Sequence, residues 1–199
     1  MQKKAYLLVE GKGEVEAAGN LVARMGMELG FPLPWASPMR WNNLHLWEAR
    51  KPSGVRNGAE FFRNRGDVGS LLILRDEDDA CPRMLAPEIS GRLRTLCLPF
   101  PVAYVLLHPE YEVLFLPCLP AMGYPPWNGA TWEARRGIKE WLTSQLPRGR
   151  SYKPTVDQLP MTRKIDFAVI RQSGVPCFGS LERAIQFLGD HEGTSSAYP

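Results

Sequence analysis

Three times along the chain, a short run of apolar, β-prone residues stops at carboxylates. Residues 4–9 are followed at once by Glu10 and Gly11. The glycine-led run in "GSLLILRDEDDACP", 69–82, meets Asp76, Glu77, Asp78 and Asp79. In "VAYVLLHPEYEVLFLP", the run 102–107 meets His108-Pro109, then Glu110 and Glu112. Each run has the length and composition of a buried strand. Between them lie stretches with helical spacing. Val15, Ala18, Leu21, Val22, Met25 and Leu29 share one face, and Gly30 closes that helix, predicting 14–29. Residues 83–97 read as a second long helix, and 55–65 as a short one with Phe61 and Phe62 inward. The prolines of "FPLPWASP", 31–38, exclude regular structure, and 39–50 fits strand or loop equally. Strands alternating with amphipathic helices predict an α/β fold, a mostly parallel Rossmann-like sheet with helices on both faces. Such sheets bind ligands beyond the carboxyl ends of their strands, which is where all three acidic clusters fall.

Past residue 117 the pattern changes. "CLPAMGYPPWNG" at 118–129 reads as a Pro/Gly-rich loop. Residues 131–145 read as a helix with Trp132, Ile138, Trp141 and Leu142 on its apolar side. "PRGRSYKPTVDQLP" at 147–160 reads as a basic, irregular loop, followed by helices at 162–172 and 179–188. The expected organisation is a core over 1–117, a loop-rich helical extension packed on it over 118–189, and a flexible polar tail over 190–199.

Composition adds little to this picture. The 199 residues are 44% hydrophobic and 23% charged, ordinary for one globular unit. Net charge is only +3, but its distribution is uneven. Bases gather at Arg92 and Arg94, at Arg135, Arg136 and Lys139, and from Arg148 to Lys164. Acids gather at the strand ends. Surface ion pairing accounts for such a distribution, and so does a protein that holds cations and touches phosphates. The four cysteines, Cys81, Cys97, Cys118 and Cys177, lack CxxC spacing and read as buried, reduced side chains. The first apolar run breaks at Glu10, so no signal peptide is expected. The longest run, "LPFPVAYVLL", is too short to cross a bilayer. A cytoplasmic protein without membrane contact is expected.

The acids carry the candidate chemistry. Asp76 and Asp78 are two apart, so on an extended strand both face one way and Glu77 the other. Converging carboxylates repel unless a cation lies between them, and Mg2+ prefers such hard oxygen ligands. Glu10 and Glu14 are four apart across a strand-to-helix turn, where Gly11 and Gly13 allow a tight fold and leave room for a phosphate. Glu14 also suits the helix dipole, and Asp79 suits a helix cap or an outer-sphere role. Glu110 and Glu112 offer a further pair, with a helix N-terminus as the alternative use. Lys12 is a candidate phosphate contact or a solvated loop lysine. His108, beside a proline, reads as a packed loop histidine.

Taken together, "YLLVEGKGEVEA" and the later "LLILRDEDD" resemble the Toprim domain, the metal-binding fold of topoisomerases, primases and OLD-family nucleases. "HPEYEVLFLP", "YKPTVDQLP" and "KIDFAVIRQSGVPCFGSLERAIQFL" resemble the DUF4276 group of small stand-alone Toprim-like proteins, a likeness running over about 1–189. The resemblance implies phosphodiester cleavage with one or two Mg2+ or Mn2+ ions, which would stabilise the attacking and leaving oxygens. By motif, the implied ligands are Glu10, Glu14, Asp76, Asp78 and Glu112, with Glu110 an extra. OLD-type sites also use a lysine near the scissile phosphate, for which Lys153 is preferred over Lys164. Arg148, Arg150 and Arg163 are expected on the nucleic-acid backbone, with Lys12 and Lys164 beside them. The family's D-G-D is here Asp76-Glu77-Asp78, preceded by Arg75, which is expected to neutralise the cluster when no metal is bound. The chain has no topoisomerase tyrosine context, and "EGKGE" lacks P-loop spacing. Likeness to small Toprim proteins encoded beside an ABC/SMC-like ATPase implies a separate ATPase subunit in an anti-phage defence complex. Trp35, Trp41, Trp47, Trp127 and Trp132 are either its docking surface or core. DNA is the favoured substrate, and homo-oligomerisation is compatible with the pattern. The alternatives are an RNA-processing Toprim ribonuclease and a non-catalytic Toprim-fold interaction subunit.

Overall fold

A computed structural model describes residues 2–50, 52–77, 79–127 and 136–199. Strands β1 (Lys4–Val9), β3 (Val68–Asp76) and β4 (Val102–Leu107) form where the apolar runs predict them. Two short strands, β2 (Met39–Arg40) and β5 (Ala197–Tyr198), complete a five-stranded sheet in the order β2-β1-β3-β4-β5. Every pairing is parallel. The protein is therefore a Rossmann-like α/β fold, with helices α1 (Glu14–Glu28), α2 (Val55–Phe61), α3 (Pro82–Thr95), α4 (Ile138–Ser144), α5 (Leu159–Thr162), α6 (Phe167–Ser173) and α7 (Pro176–Asp190).

The strand pleat divides the core in two. Leu7, Val9, Leu72, Leu74, Val105 and Leu107 point to one face, under α1 and α7. Tyr6, Leu8, Leu71, Ile73, Tyr104 and Leu106 point to the other, under α2 and α3. Buried on both faces, the central strands read as continuous apolar runs, as parallel strands do. The extension belongs to the first face. Its α7 supplies Phe178, Leu181, Ile185 and Leu188 to the same cluster as β1 and α1. The 3₁₀ turn Tyr111–Cys118 is buried there as well.

Several expectations need correction. The tail is not frayed throughout, because Ala197 and Tyr198 pair with Val102 and Ala103. Arg94 Nη2 holds the carbonyls of Ala197 and Pro199 at 3.2 and 2.6 Å. Phe62 is buried, but Phe61 faces solvent, since α2 ends at Phe61 and its apolar side is set by Val55 and Ala59. Gly137 takes a left-handed φ of 73°, so α4 begins only at Ile138. Residues 131–135, with Trp132, lie outside the described residues. The basic loop contains a π-helical turn, Pro154–Gln158, which runs into α5. Asp166 caps α6 through the amides of Ala168 and Val169, so Lys164 sits between helices rather than starting one. Cys118 and Cys177 are buried, whereas Cys81 and Cys97 are exposed. Trp41 is core, with Trp47 partly buried against the same cluster, and Trp35 and Trp127 are partly buried against the cluster on the other face. Among the described residues, no helix is long and apolar enough to cross a membrane.

Candidate metal centre

Asp76 is the last residue of β3, level with Leu107 of β4. Its parity follows Leu72 and Leu74, so its carboxylate lies on the face of α1 and α7. Glu14 approaches from the first turn of α1 and is buried. It can do so because residue 11 is glycine, where a Cβ would run into Glu14 Oε1. The backbone of Gly11 and Glu10 lies near its carboxylate and favours its charged form, against burial. Glu112 comes from the 3₁₀ turn after β4 and is fully buried, at 0% exposure. Tyr152 Oη and Gln158 Nε2 donate to its Oε1 at 2.8 and 3.2 Å. Gln158 ends the π-helical turn. That turn lies against the start of α1, where a Cβ on Gly13 would stand 2.6 Å from both Gln158 Oε1 and the backbone of Pro154.

The three carboxylates share one electrostatic environment. Burial pushes Asp76 well above the ordinary aspartate range, and the charges of Glu14, Glu112 and Glu110 push it further against the pull of Lys139. Burial likewise raises Glu14. Glu112 is pushed up to about 7, first by burial and then by Glu110, with Lys139 and Tyr152 opposing. Each acid keeps one buried oxygen without a hydrogen bond, namely Glu14 Oε2, Asp76 Oδ1 and Glu112 Oε2. Buried polar atoms are rarely left without a hydrogen bond, and three such carboxylate oxygens in one cluster favour a positive charge among them.

Lys139 supplies part of that charge. Its Nζ stands 2.9 Å from Glu110 Oε2, 3.3 Å from Glu112 Oε2 and 3.8 Å from Asp76 Oδ2. Burial lowers the lysine's pKa, but Glu112, Glu110 and Asp76 more than offset it and the net direction is upward. Glu110 has a second task, since its Oε1 accepts the Ile138 N–H at 3.1 Å and holds the start of α4. As they stand, no three His, Cys, Asp or Glu side chains among the described residues are grouped to hold a metal ion.

Other expected site residues lie elsewhere. Val9 pairs with Leu74, so one further step puts Glu10 level with Arg75 rather than Asp76. Its parity is that of Tyr6 and Leu8, on the opposite face. Its carboxylate accordingly lies 3.3 Å from His45 Nδ1, with its charge reaching Glu14 and Tyr104. Asp78 lies outside the described residues. Glu77 does turn away from the cluster, where it pairs with buried Arg75 and accepts the amides of Asp79 and Ala80 at 3.1 and 2.8 Å. Arg75 also bonds Tyr104 Oη at 2.9 Å, so it cannot neutralise Asp76 from that side, and Lys139 takes the role expected of it. Asp79 pairs with Arg136 at 3.0 Å and does not cap α3, whose N-cap is Cys81. Lys153 is exposed at the head of the π-helical turn, its backbone amide bonded to Asp157. Its side chain is in none of the cluster's ion pairs. Lys12, Arg148, Arg163 and Lys164 are exposed, and Arg150 pairs with Asp157 at 2.7 Å.

Sequence reasoning missed Lys139, Tyr152 and Gln158 as site residues. Tyr152 stands beside Lys153 in a motif already singled out. Lys139 gave no local signal, because only the docking of α4 onto Glu110 brings it in.

Fold and site together define a Rossmann-like α/β protein with a buried carboxylate cluster at the carboxyl edge of its sheet. Comparison of the chain with protein-family models, curated proteins and solved structures yields no match.

Proposed function

We propose that the chain is a divalent-metal-dependent nuclease that cleaves phosphodiester bonds of DNA. The observation that carries the reading is the set of three buried carboxylate oxygens without a hydrogen bond, on Glu14, Asp76 and Glu112, of which the last has only the Lys139 ammonium beside it. They come from three elements that meet at the carboxyl edge of a parallel sheet, and hard oxygen donors suit Mg2+ or Mn2+. These three residues would hold the ion, with Glu10 and Asp78 as further donors by motif. A bound ion would supply charge for the attacking and leaving oxygens of an in-line displacement. The protein's own residues do the rest. Tyr152 and Gln158 fix the orientation of Glu112, and Gly11 lets Glu14 reach the cluster. Exposed Lys12, Arg148, Lys153, Arg163 and Lys164 offer charge for a phosphate backbone, joined by Arg150 once it leaves Asp157.

The Toprim and DUF4276 resemblance supports the same reaction class. It extends the proposal to an effector subunit working with an ABC/SMC-like ATPase in bacterial anti-phage defence. The test is cleavage of duplex DNA and of structured RNA by the protein, alone and with its ATPase partner, in Mn2+. Cutting of DNA that Asp76→Asn and Glu112→Gln abolish is expected. Cutting undiminished in both variants would show the site to be elsewhere, and a preference for RNA would move the protein to the RNA-processing reading. One observation favours a non-catalytic interaction subunit, namely that Lys139 already neutralises part of the cluster. That reading predicts no Mn2+ binding at millimolar concentration.

A further inference from the structure

The buried acids and the lysine among them belong to one arrangement. Glu112 Oε2 is buried and lacks a hydrogen bond, yet Lys139 Nζ lies 3.3 Å away. The same ammonium reaches Glu110, at the head of the same 3₁₀ turn, and Asp76, at the end of β3. An ammonium contacting three carboxylates stands where a cation shared by them would stand, and the two cannot occupy that space together. We infer that Lys139 is the built-in counter-ion of the cluster, which a divalent ion must displace to bind. The inference rests on the metal-site reading and concerns what governs occupancy of that site.

The lysine is placed to act as a movable plug. It is the second residue of α4, a helix of seven residues that begins after Gly137. Its side chain keeps 36% exposure, so an outward path to solvent exists. Three links fasten this end of α4 to the site. They are Lys139 and the Ile138 amide on Glu110, and Arg136 on Asp79. Glu110 therefore holds the helix with one oxygen and the ammonium with the other. An ion that draws Glu110 or Glu112 toward itself takes partners from Lys139 and loosens this end of α4. Coulomb attraction in a site of reduced dielectric makes the exchange matter, since one unit charge at 3–4 Å is worth more there than in water. The cost of displacement lowers apparent ion affinity and favours a dication over a monovalent one, because only the greater charge offsets loss of the ammonium.

Calorimetric titration of the full chain with Mn2+ tests this, comparing the parent with Lys139→Gln and Lys139→Arg. Lys139→Gln is expected to bind Mn2+ at least roughly tenfold more tightly than the parent, and Lys139→Arg, which keeps the charge, to bind no more tightly than the parent. Parent binding with equal or weaker affinity in Lys139→Gln overturns the inference and leaves the metal site standing. No Mn2+ binding by parent or either variant overturns both. Without its counter-ion, Lys139→Gln has reason to unfold. Refolding on addition of Mn2+ supports displacement, and a variant that stays unfolded at every Mn2+ concentration contradicts it.

Discussion

Glu112 concentrates the chemistry of this protein in one side chain. A fully buried carboxylate keeps its charge only with partners, and its partners are Tyr152, Gln158 and Lys139. Burial holds its pKa near 7, against an ordinary 4.5, and the sign of the consequence follows. Between those values the folded state keeps a proton that the unfolded chain has lost. Stability of the metal-free protein should therefore fall as pH rises from about 4.5 through about 7. Up to roughly 3 kcal/mol comes from this group, and burial of Asp76 and Glu14 acts in the same direction. Urea denaturation across that range checks it, and a stability that rises instead would contradict the assigned burial. Glu112→Gln removes the charge while keeping an acceptor for Tyr152. It should flatten that pH dependence and weaken Mn2+ binding tenfold or more, by roughly the 1.4 kcal/mol or greater that one lost ligand implies.

At the scale of elements, the strands and their terminal acids were legible because their signals are local. Period and composition mark β1, β3 and β4, and Gly11 and Gly30 mark the ends of β1 and α1. Which acids meet was not legible, because it depends on register. The pairing of Val9 with Leu74 sends Glu10 to the face of Arg75, and no property of residues 5–17 alone fixes that pairing. Likewise β5 is two residues long and exists only because β4 offers an open edge and Arg94 anchors the chain end. A chain ending at Ser196 should lose about 1–3 kcal/mol, the scale of a few hydrogen bonds, read as a lower denaturation midpoint. The π-helical turn escaped notice for a similar reason. Its packing depends on Gly13, where a side chain would strike Pro154 and Gln158. Gly13→Ala should cost about 1–3 kcal/mol by overpacking and disturb Gln158, weakening Mn2+ binding in the same preparation.

For the whole molecule, one of the two core clusters ties the extension to the sheet, so the acids of the first half and Lys139 of the second form one unit. Cluster and fold depend on each other. The sheet brings Asp76 and Glu112 together, and burial of both raises their pKa values. A dication should therefore raise the unfolding temperature, and more so at pH 8 than at pH 6, because ion binding requires Glu112 to be ionised. Calorimetric titration of the parent and Asp76→Asn with Mn2+ at pH 8 asks whether an ion binds at the end of β3. Binding by the parent that Asp76→Asn abolishes is the predicted result. Equal binding by both, or none by the parent at millimolar Mn2+, would contradict a metal centre at the end of β3.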